Sequence, residues 1–150
     1  MTKDLPRVAQ TLDYSCGAAC FDSMFKYLKG TSPGEMHFAK ELQTLELGHT
    51  PPIHIVNLAR CYGFSCEMLE DAEISDIAEG LLKDEVLFVT WWFEDAGHYS
   101  LVKQIDEEHI LLMDPWFARE DLDQQLTIAD FVPKWNQRGS KIIKVRAGAS

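Results

Sequence analysis

The order of hydrophobic patterns along the chain predicts an α+β fold, with an N-terminal helical part packed on a C-terminal antiparallel sheet. Residues 16 to 63 carry apolar side chains at helical spacing, and Gly30 and Gly48 interrupt them. Residues 85 to 114 instead form short apolar runs that are typical of strands. Helices first and strands later is the layout of an α+β protein. A length of 150 residues predicts a single domain over residues 1–150.

Three helices are predicted in the first part of the chain. The first covers residues 16–29 and stops at Gly30, a residue that favours the end of a helix. The second is expected to start with Ser32 as its cap and Pro33 at its first position, and to run to Leu47. The third follows Thr50 as a cap and ends at Gly63. Residues 1–15 are expected to be extended.

Beyond residue 63 the pattern alternates between strands and helices. A strand over 64–69 precedes an amphipathic helix whose apolar face is formed by five residues: Ile74, Ile77, Ala78, Leu81 and Leu82. The run "EVLFVTWW" (85–92) predicts a buried central strand. Residues 98–105 and 109–114 predict a hairpin around the acidic turn 106–108. A helix over 127–135 and a strand over 141–147 complete the chain.

Composition excludes several classes of function. The net charge of −10 argues against nucleic-acid partners, because binding to a phosphate backbone requires an excess of Lys and Arg. The sequence contains neither a signal core nor the roughly 18 apolar residues of a membrane span. The cytosol is therefore the default compartment, and the four cysteines are expected to be thiols. Their spacing does not resemble a metal site, so neither a metal nor another cofactor is expected. The acidic charge favours a basic or neutral peptide over an acidic one as the substrate.

Cys16 is the first candidate for a chemical role. It stands at the predicted N-terminus of the first helix, where the helix dipole and free N–H groups stabilise an anion and therefore favour a thiolate. The neighbouring Gly17 and two alanines leave this end of the helix open. A buried structural thiol is the alternative, since free cysteines are usually buried. We favour that alternative for Cys20, one helical turn further on.

His98 and Asp114 are predicted to meet across the hairpin. If residues 106–108 form a three-residue loop, Ile105 pairs with His109, and Asp114 lies opposite Ser100. His98 is then the diagonal neighbour of Asp114 on the same face, within reach of a ring side chain. The aspartate could accept a hydrogen bond from one ring nitrogen and leave the other facing the cysteine. A slip of one residue would break this arrangement.

Together these residues have the composition of a covalent catalytic site. Cys16 would be the nucleophile, His98 the base and Asp114 the acid that orients the base. Gln10 precedes Cys16 by six residues and could direct its side-chain N–H toward a developing oxyanion, with the Cys16 backbone N–H as a second donor. Gly97, next to His98, would allow a substrate chain to approach closely.

Two stretches carry a resemblance to a known family. "QTLDYSCGAAC" near the N-terminus and "GHYSLVKQIDEEHILLMDP" further on resemble the papain-like cysteine peptidases, and more narrowly the bacteriocin-processing, or double-glycine leader, peptidases. The resemblance implies a papain-like fold. It also implies roles for four residues: Cys16 as nucleophile, His98 as base, Asp114 as its partner and Gln10 as oxyanion donor.

The resemblance further implies a substrate class and partners. A peptide or protein would be cleaved after small residues such as Gly-Gly, and a separate exporter or biosynthetic enzyme would be a partner.

Trp116 is expected to form a wall of the cleft, and at least one of Trp91 and Trp92 is expected in the core. Three alternatives stay open: another acyl transfer, such as deamidation or amide ligation, on the same fold; a catalytically idle peptide-binding module; and a structural domain with coincidental motifs.

Overall fold

Helices occupy most of the first half of the chain, and strands most of the second. The computed structural model describes residues 2–93 and 96–148, leaving aside the side chains of Trp92, Phe93 and Ala96. Within these residues the helices are α1 (Cys16–Lys29), α2 (Glu35–Glu41), α3 (Thr44–Leu47), α4 (Pro52–Cys61), α5 (Ile74–Leu82) and α6 (Ile128–Asn136), with a 3₁₀ turn at Ala118–Glu120. The strands are β1 (Ser65–Leu69), β2 (Val86–Phe93), β3 (Ala96–Ile105), β4 (His109–Met113), β5 (Gln124–Thr127) and β6 (Ile142–Arg146).

The described strands form one antiparallel sheet in the order β1-β6-β2-β3-β4-β5. The last strand in sequence, β6, lies between β1 and β2. The strand β2 is central, as its continuous apolar run predicts, and residues 86–89 are almost fully buried. The α+β fold with a helical part on an antiparallel sheet is confirmed.

Helices cover both faces of this sheet. On one face α1, α2 and α4 pack against alternate strand residues such as Phe88, Leu101 and Met113. On the other face α5 and α6 pack against the intervening residues, among them Val89 and Trp91. The alternation follows from the two-residue period of a strand, which sends successive side chains to opposite faces.

The first helix begins and ends where the sequence predicts. Gly30 adopts a left-handed conformation (φ 86°), and its N–H donates to the Lys26 carbonyl at 2.8 Å. This satisfies a carbonyl that the end of the helix would otherwise leave unpaired. The residues of α1 from Cys16 to Met24 are all buried, so the start of the helix is fixed by the core.

The second predicted helix is wrong in its extent. It is split into α2 and α3, because Gln43 between them is left-handed (φ 63°) while Leu42 is fully buried. It begins after Gly34 and not at Ser32 or Pro33. The predicted cap Thr50 precedes the actual N-cap Pro51; its side chain instead bonds to Thr44 Oγ1 at 2.7 Å.

Two further predictions need correction. The sequence places Leu82 on the apolar face of α5, but this side chain is 89% exposed, because α5 packs on the sheet through Ile77 and ends at Leu82. The sequence does not predict the edge strand β5, since "QQLT" has few apolar residues. An edge strand with one neighbour needs little apolar surface.

The hairpin of β3 and β4 has the predicted register near Asp114, but its loop and the pairing next to the loop differ from the prediction. At its closed end Ile105 pairs with Ile110 and not with His109, so the assumed loop is wrong by one residue. An irregularity between Val102 and Gln104 then shifts the pairing, and Leu101 pairs with Met113. Extended by one residue, this register brings Asp114 beside Ser100, as predicted.

Candidate active site

The sulfur of Cys16 lies at the start of α1, where the first N–H groups of the helix lack partners within it. Cys16 is 8% exposed. Only glycine fits at the next position, since a Cβ on Gly17 would lie 2.8 Å from the Thr50 side chain. That close approach brings the loop before α4 against the N-terminus of α1.

A buried carboxylate holds the segment that leads into α1. Glu35, at the start of α2, accepts hydrogen bonds from the Thr11 backbone N–H and the Ser15 hydroxyl, both at 2.8 Å, and from the Thr11 hydroxyl at 2.5 Å. Glu35 is 8% exposed. These bonds fix the segment immediately before Cys16.

His98 and Asp114 form a buried hydrogen-bonded pair. The distance from His98 Nε2 to Asp114 Oδ1 is 2.5 Å, and the side chain of Asp114 is completely buried. The same Oδ1 accepts the backbone N–H of Trp116 at 3.0 Å, which fixes the carboxylate. Because Asp114 uses Nε2, Nδ1 is the ring nitrogen that remains for the Cys16 sulfur, and the interaction with Cys16 helps to raise the pKa of His98.

The environment of His98 favours its protonated form. Burial lowers the pKa of the imidazole, but the hydrogen bonds and charges of Asp114 and Cys16 outweigh burial and raise the pKa to about 9. A histidine with that pKa carries a proton at neutral pH. The imidazolium form of His98 is therefore favoured in the cleft that Cys16 also lines.

Trp91 protects the back of this pair from water. It is 1% exposed, and its ring lies edge-on to the His98 ring at 6.0 Å between centroids. Its indole N–H donates to Ser100 Oγ at 3.1 Å. Trp91 is thus a core residue, as predicted for one of the adjacent tryptophans, whereas the side chain of Trp92 lies outside the described residues.

Gln10 is held close to the Asp114 segment. Its backbone N–H donates to the Pro115 carbonyl at 3.2 Å, and its own carbonyl accepts from Arg119 Nη2 at 3.0 Å. The side-chain Nε2 donates to the carbonyls of Leu12 and Asp13 at 2.8 and 3.1 Å. Both amide hydrogens therefore have acceptors within the loop, and a role as oxyanion donor stays a prediction.

A cleft of about 660 Å³ opens at Cys16 and His98. Its lining residues come from five parts of the chain and lie within residues 13–16, 48–52, 90, 97–99 and 137–141. Gly97 belongs to this lining, consistent with its predicted contact with substrate. Trp116 does not belong to it; this residue is 38% exposed, and the Arg119 guanidinium lies 5.6 Å from the centroid of its ring.

Comparison with known proteins gives the family. The model of the peptidase C39 family matches residues 4–142, almost the whole chain. This chain belongs to the peptidase C39 family. It is also 31% identical over 112 residues to an uncharacterized protein of Methanothermobacter marburgensis, covering 75% of this chain and 72% of that protein.

Solved structures of C39 peptidase domains have the same fold. The peptidase domain of Streptococcus ComA, a bifunctional ABC transporter of a quorum-sensing pathway, matches with a TM-score of 0.76 at 18% identity, covering 93% of this chain and 96% of that domain. A double-glycine motif protease from an AMS/PCAT transporter, solved with a leader peptide, matches with a TM-score of 0.76 at 17% identity, covering 97% and 94%. The papain-like fold implied by the sequence motifs is confirmed, and family membership supports a cysteine peptidase.

Three residues of the site are not predicted from the sequence. Glu35 and Arg138 are far from Cys16 and His98 in sequence, and no local pattern distinguishes them from surface charges. Tyr99, whose hydroxyl donates to the Thr50 carbonyl at 2.7 Å, joins the histidine strand to the loop at the cleft. Tyr99 directly follows His98 on a strand, where successive side chains face opposite sides, so the position next to the histidine did not indicate this contact.

Two further properties concern the described part of the chain. It contains no cluster of three or more His, Cys, Asp or Glu side chains placed to bind a metal ion. None of its helices combines the length and the hydropathy that crossing a lipid bilayer requires.

Proposed function

We propose that this C39 family member is a cysteine peptidase that hydrolyses peptide bonds with Cys16, His98 and Asp114. One observation carries the proposal: the buried His98 ring is held by Asp114 through Nε2, and His98 and Cys16 line the same open cleft. A nucleophile, a base and a group that orients the base are the parts that covalent hydrolysis needs.

The reaction follows from this arrangement in two stages. The Cys16 thiolate attacks the scissile carbonyl carbon, a C–S bond forms, and the carbonyl electron pair moves to oxygen. The C–N bond then breaks as His98 Nδ1–H gives its proton to the leaving amine, which leaves a thioester. Water, deprotonated by His98, attacks the thioester; the C–S bond breaks, and the products are a carboxylic acid and the regenerated thiolate.

Donors for the oxyanion come from the start of α1 and from Gln10. The Cys16 backbone N–H lies at the helix N-terminus, where it is directed outward and lacks an intrahelical acceptor. Gln10 supplies the second donor if its amide turns from the carbonyls of Leu12 and Asp13 toward the substrate. Its backbone bonds to Pro115 and Arg119 keep it in place during such a rotation.

We infer a peptide substrate with small residues, such as Gly-Gly, before the scissile bond. The solved relative with a double-glycine motif specificity and a bound leader peptide supports this substrate class. The relatives that are domains of ABC transporters support an exporter as partner, with this chain acting as a single domain on the cytosolic side. Deamidation and amide ligation would use the same residues with a different acceptor.

A peptide library tests the proposal although the natural substrate is unidentified. The wild-type chain is incubated with a mixture of peptides from digested proteins, and new termini are identified by mass spectrometry. We expect cleavage after small residues by wild type and by Cys61→Ser, which changes an exposed thiol, and none by Cys16→Ser. Peptides bound without new termini would indicate a binding module. A gain of about 1 Da per glutamine, or of an amine, would indicate the other acyl transfers.

A further inference from the structure

One wall of the cleft carries a charge opposite to that of the whole protein. The chain has a net charge of −10, yet the loop from α6 to β6, residues 137–141, brings Arg138 and Lys141 to the cleft. Among the described residues that line the cleft, Asp13 is the single carboxylate. The charges that line the cleft therefore differ from the negative net charge of the whole protein, and that net charge was the reason to expect a basic or neutral substrate.

The Arg138 guanidinium lies directly over the backbone of Gly97. A Cβ at Gly97 would be 3.1 Å from Arg138 Cζ, 3.2 Å from Nε and 3.3 Å from Nη1. Three guanidinium atoms at nearly equal distances mean that the group lies flat against the strand. A Cβ at position 97 would require the guanidinium to move by a few tenths of an ångström, so Gly97 allows this close approach next to His98.

Neither cation in the wall is neutralised by a described carboxylate. Within residues 2–93 and 96–148 no ion pair involves Arg138 or Lys141, although Arg and Lys elsewhere in the chain pair with Asp and Glu. The planar guanidinium suits two parallel hydrogen bonds to a carboxylate. A cation so placed in an open cleft is available to a ligand.

The loop that carries these cations is fixed by its backbone. The Gly139 carbonyl accepts the Asp71 N–H at 2.9 Å, and the Lys141 carbonyl accepts the indole N–H of Trp135 at 2.9 Å. Trp135 is 1% exposed, and its carbonyl accepts the Ser140 N–H at 3.1 Å. The position of the loop is therefore set by the core before any substrate binds, which reduces the entropy cost of binding.

We propose that Arg138, assisted by Lys141, binds a carboxylate of the substrate peptide close to the scissile bond. Gly97 and His98 are consecutive, about 3.8 Å apart at Cα, and an extended peptide advances about 3.3 Å per residue. The carboxylate therefore belongs to a residue within about three positions of the cleaved bond. It is an Asp or Glu side chain or the C-terminal carboxylate of the substrate. This subsite rests on the proposed peptidase function, which it deepens by adding a substrate preference.

Paired peptides measure the preference directly. A twelve-residue peptide centred on Gly-Gly is made with Glu or with Gln at each of the three positions on either side of that pair, and kcat/KM is measured. We expect Glu to exceed Gln by about tenfold at one position, the scale of a charge-assisted hydrogen bond in a partly open site. Arg138→Gln should abolish the difference, and Arg138→Glu should reverse it. Arg146→Gln, which removes an exposed cation at the far end of β6, should leave it unchanged.

Binding to the Cys16→Ala variant separates the subsite from the chemistry. Tighter binding of the Glu peptide without any cleavage by wild type would overturn the peptidase function and keep the carboxylate subsite. If Glu and Gln peptides are cleaved at equal rates at all six positions, shortened peptides with a free C-terminus are compared with their amides. A preference for the free C-terminus that Arg138→Gln removes would assign the carboxylate to the end of the substrate chain. Equal rates in this comparison too would overturn the subsite and keep the peptidase.

Discussion

At His98 two opposing effects act on one imidazole. Burial removes water from the ring and disfavours its charge, while the Asp114 carboxylate and the Cys16 sulfur favour it, and the balance raises the pKa to about 9. Because this pKa lies above the value of about 6.5 for an unfolded chain, protonated His98 stabilises the fold. The contribution is complete below a pH of about 6.5 and is lost as the pH rises through about 9.

The pH dependence of the proposed hydrolysis depends on the same group. The proposed mechanism needs the His98 proton, so we expect the rate to fall on the alkaline side near pH 9, where the histidine titrates. Asp114→Asn removes the negative charge that favours the proton and should move this limb to lower pH. The measurement is kcat/KM from about pH 5 to about pH 10 for both proteins.

Asp106→Asn is the matched control, because Asp106 is exposed at the hairpin turn and accepts hydrogen bonds from the backbone of that turn. It should leave the alkaline limb in place. An unchanged limb in Asp114→Asn would mean that the carboxylate does not control the protonation of His98.

At the scale of elements, Glu35 connects two helices through a loop. Its carboxylate belongs to α2, and its donors lie in the segment that ends at the N-cap of α1. A buried carboxylate with several donors contributes mainly by satisfying groups that would otherwise be unpaired. The position of the Cys16 sulfur against His98 therefore depends on a residue that contacts neither.

Replacing Glu35 by Gln tests this positioning role. The amide keeps one acceptor oxygen but places an N–H₂ group against donors, so we expect a loss of about 1–3 kcal/mol in the free energy of unfolding. We also expect a drop in kcat with little change in KM, and a slower alkylation of Cys16 in the folded protein. Glu46→Gln, at an exposed position of α3, should change none of these quantities. Destabilisation with normal kcat would show a purely structural role for Glu35.

The hairpin shows how far the sequence could predict the site. An assumed loop predicts the diagonal contact of His98 and Asp114, but the loop is one residue longer and a bulge at Lys103 restores the register. Lys103 is buried there, with Nζ 2.6 Å from Asp123 and its carbonyl accepting the Lys3 N–H at 2.9 Å. Both partners are distant in sequence, so no local pattern could reveal the bulge.

At the scale of the whole molecule, contacts between distant segments assemble the site. The residues near the N-terminus meet the segment after β4 through Gln10, Pro115 and Arg119. Periodicity predicted α1 and the central strand well, because the burial of each is continuous along the sequence. It failed at the break after Leu42, at β5 and at the cleft wall near Arg138, because these depend on tertiary contacts.

The four cysteines lie in different environments, so one experiment can compare the reactivities of their thiols. Cys61 is exposed, and Cys16 is 8% exposed at the cleft. Burial raises the pKa of Cys20 well above its usual value and that of Cys66 to about 11. The last two thiols should therefore react with iodoacetamide only after unfolding.

Alkylation at about pH 6 should select Cys16 over the more accessible Cys61. In the proposed mechanism a protonated His98 activates the Cys16 sulfur for attack, so we expect labelling of Cys16 to be at least about tenfold faster. His98→Ala should reduce the rate at Cys16 below that at Cys61, while His109→Ala, at a half-exposed histidine of β4, should have no effect. Labelled peptides are counted by mass spectrometry over time, with thermal unfolding measured for each variant. Faster labelling of Cys61 in the wild type, with Cys16 indifferent to His98→Ala, would show an ordinary thiol and remove the chemical basis of the proposed peptidase.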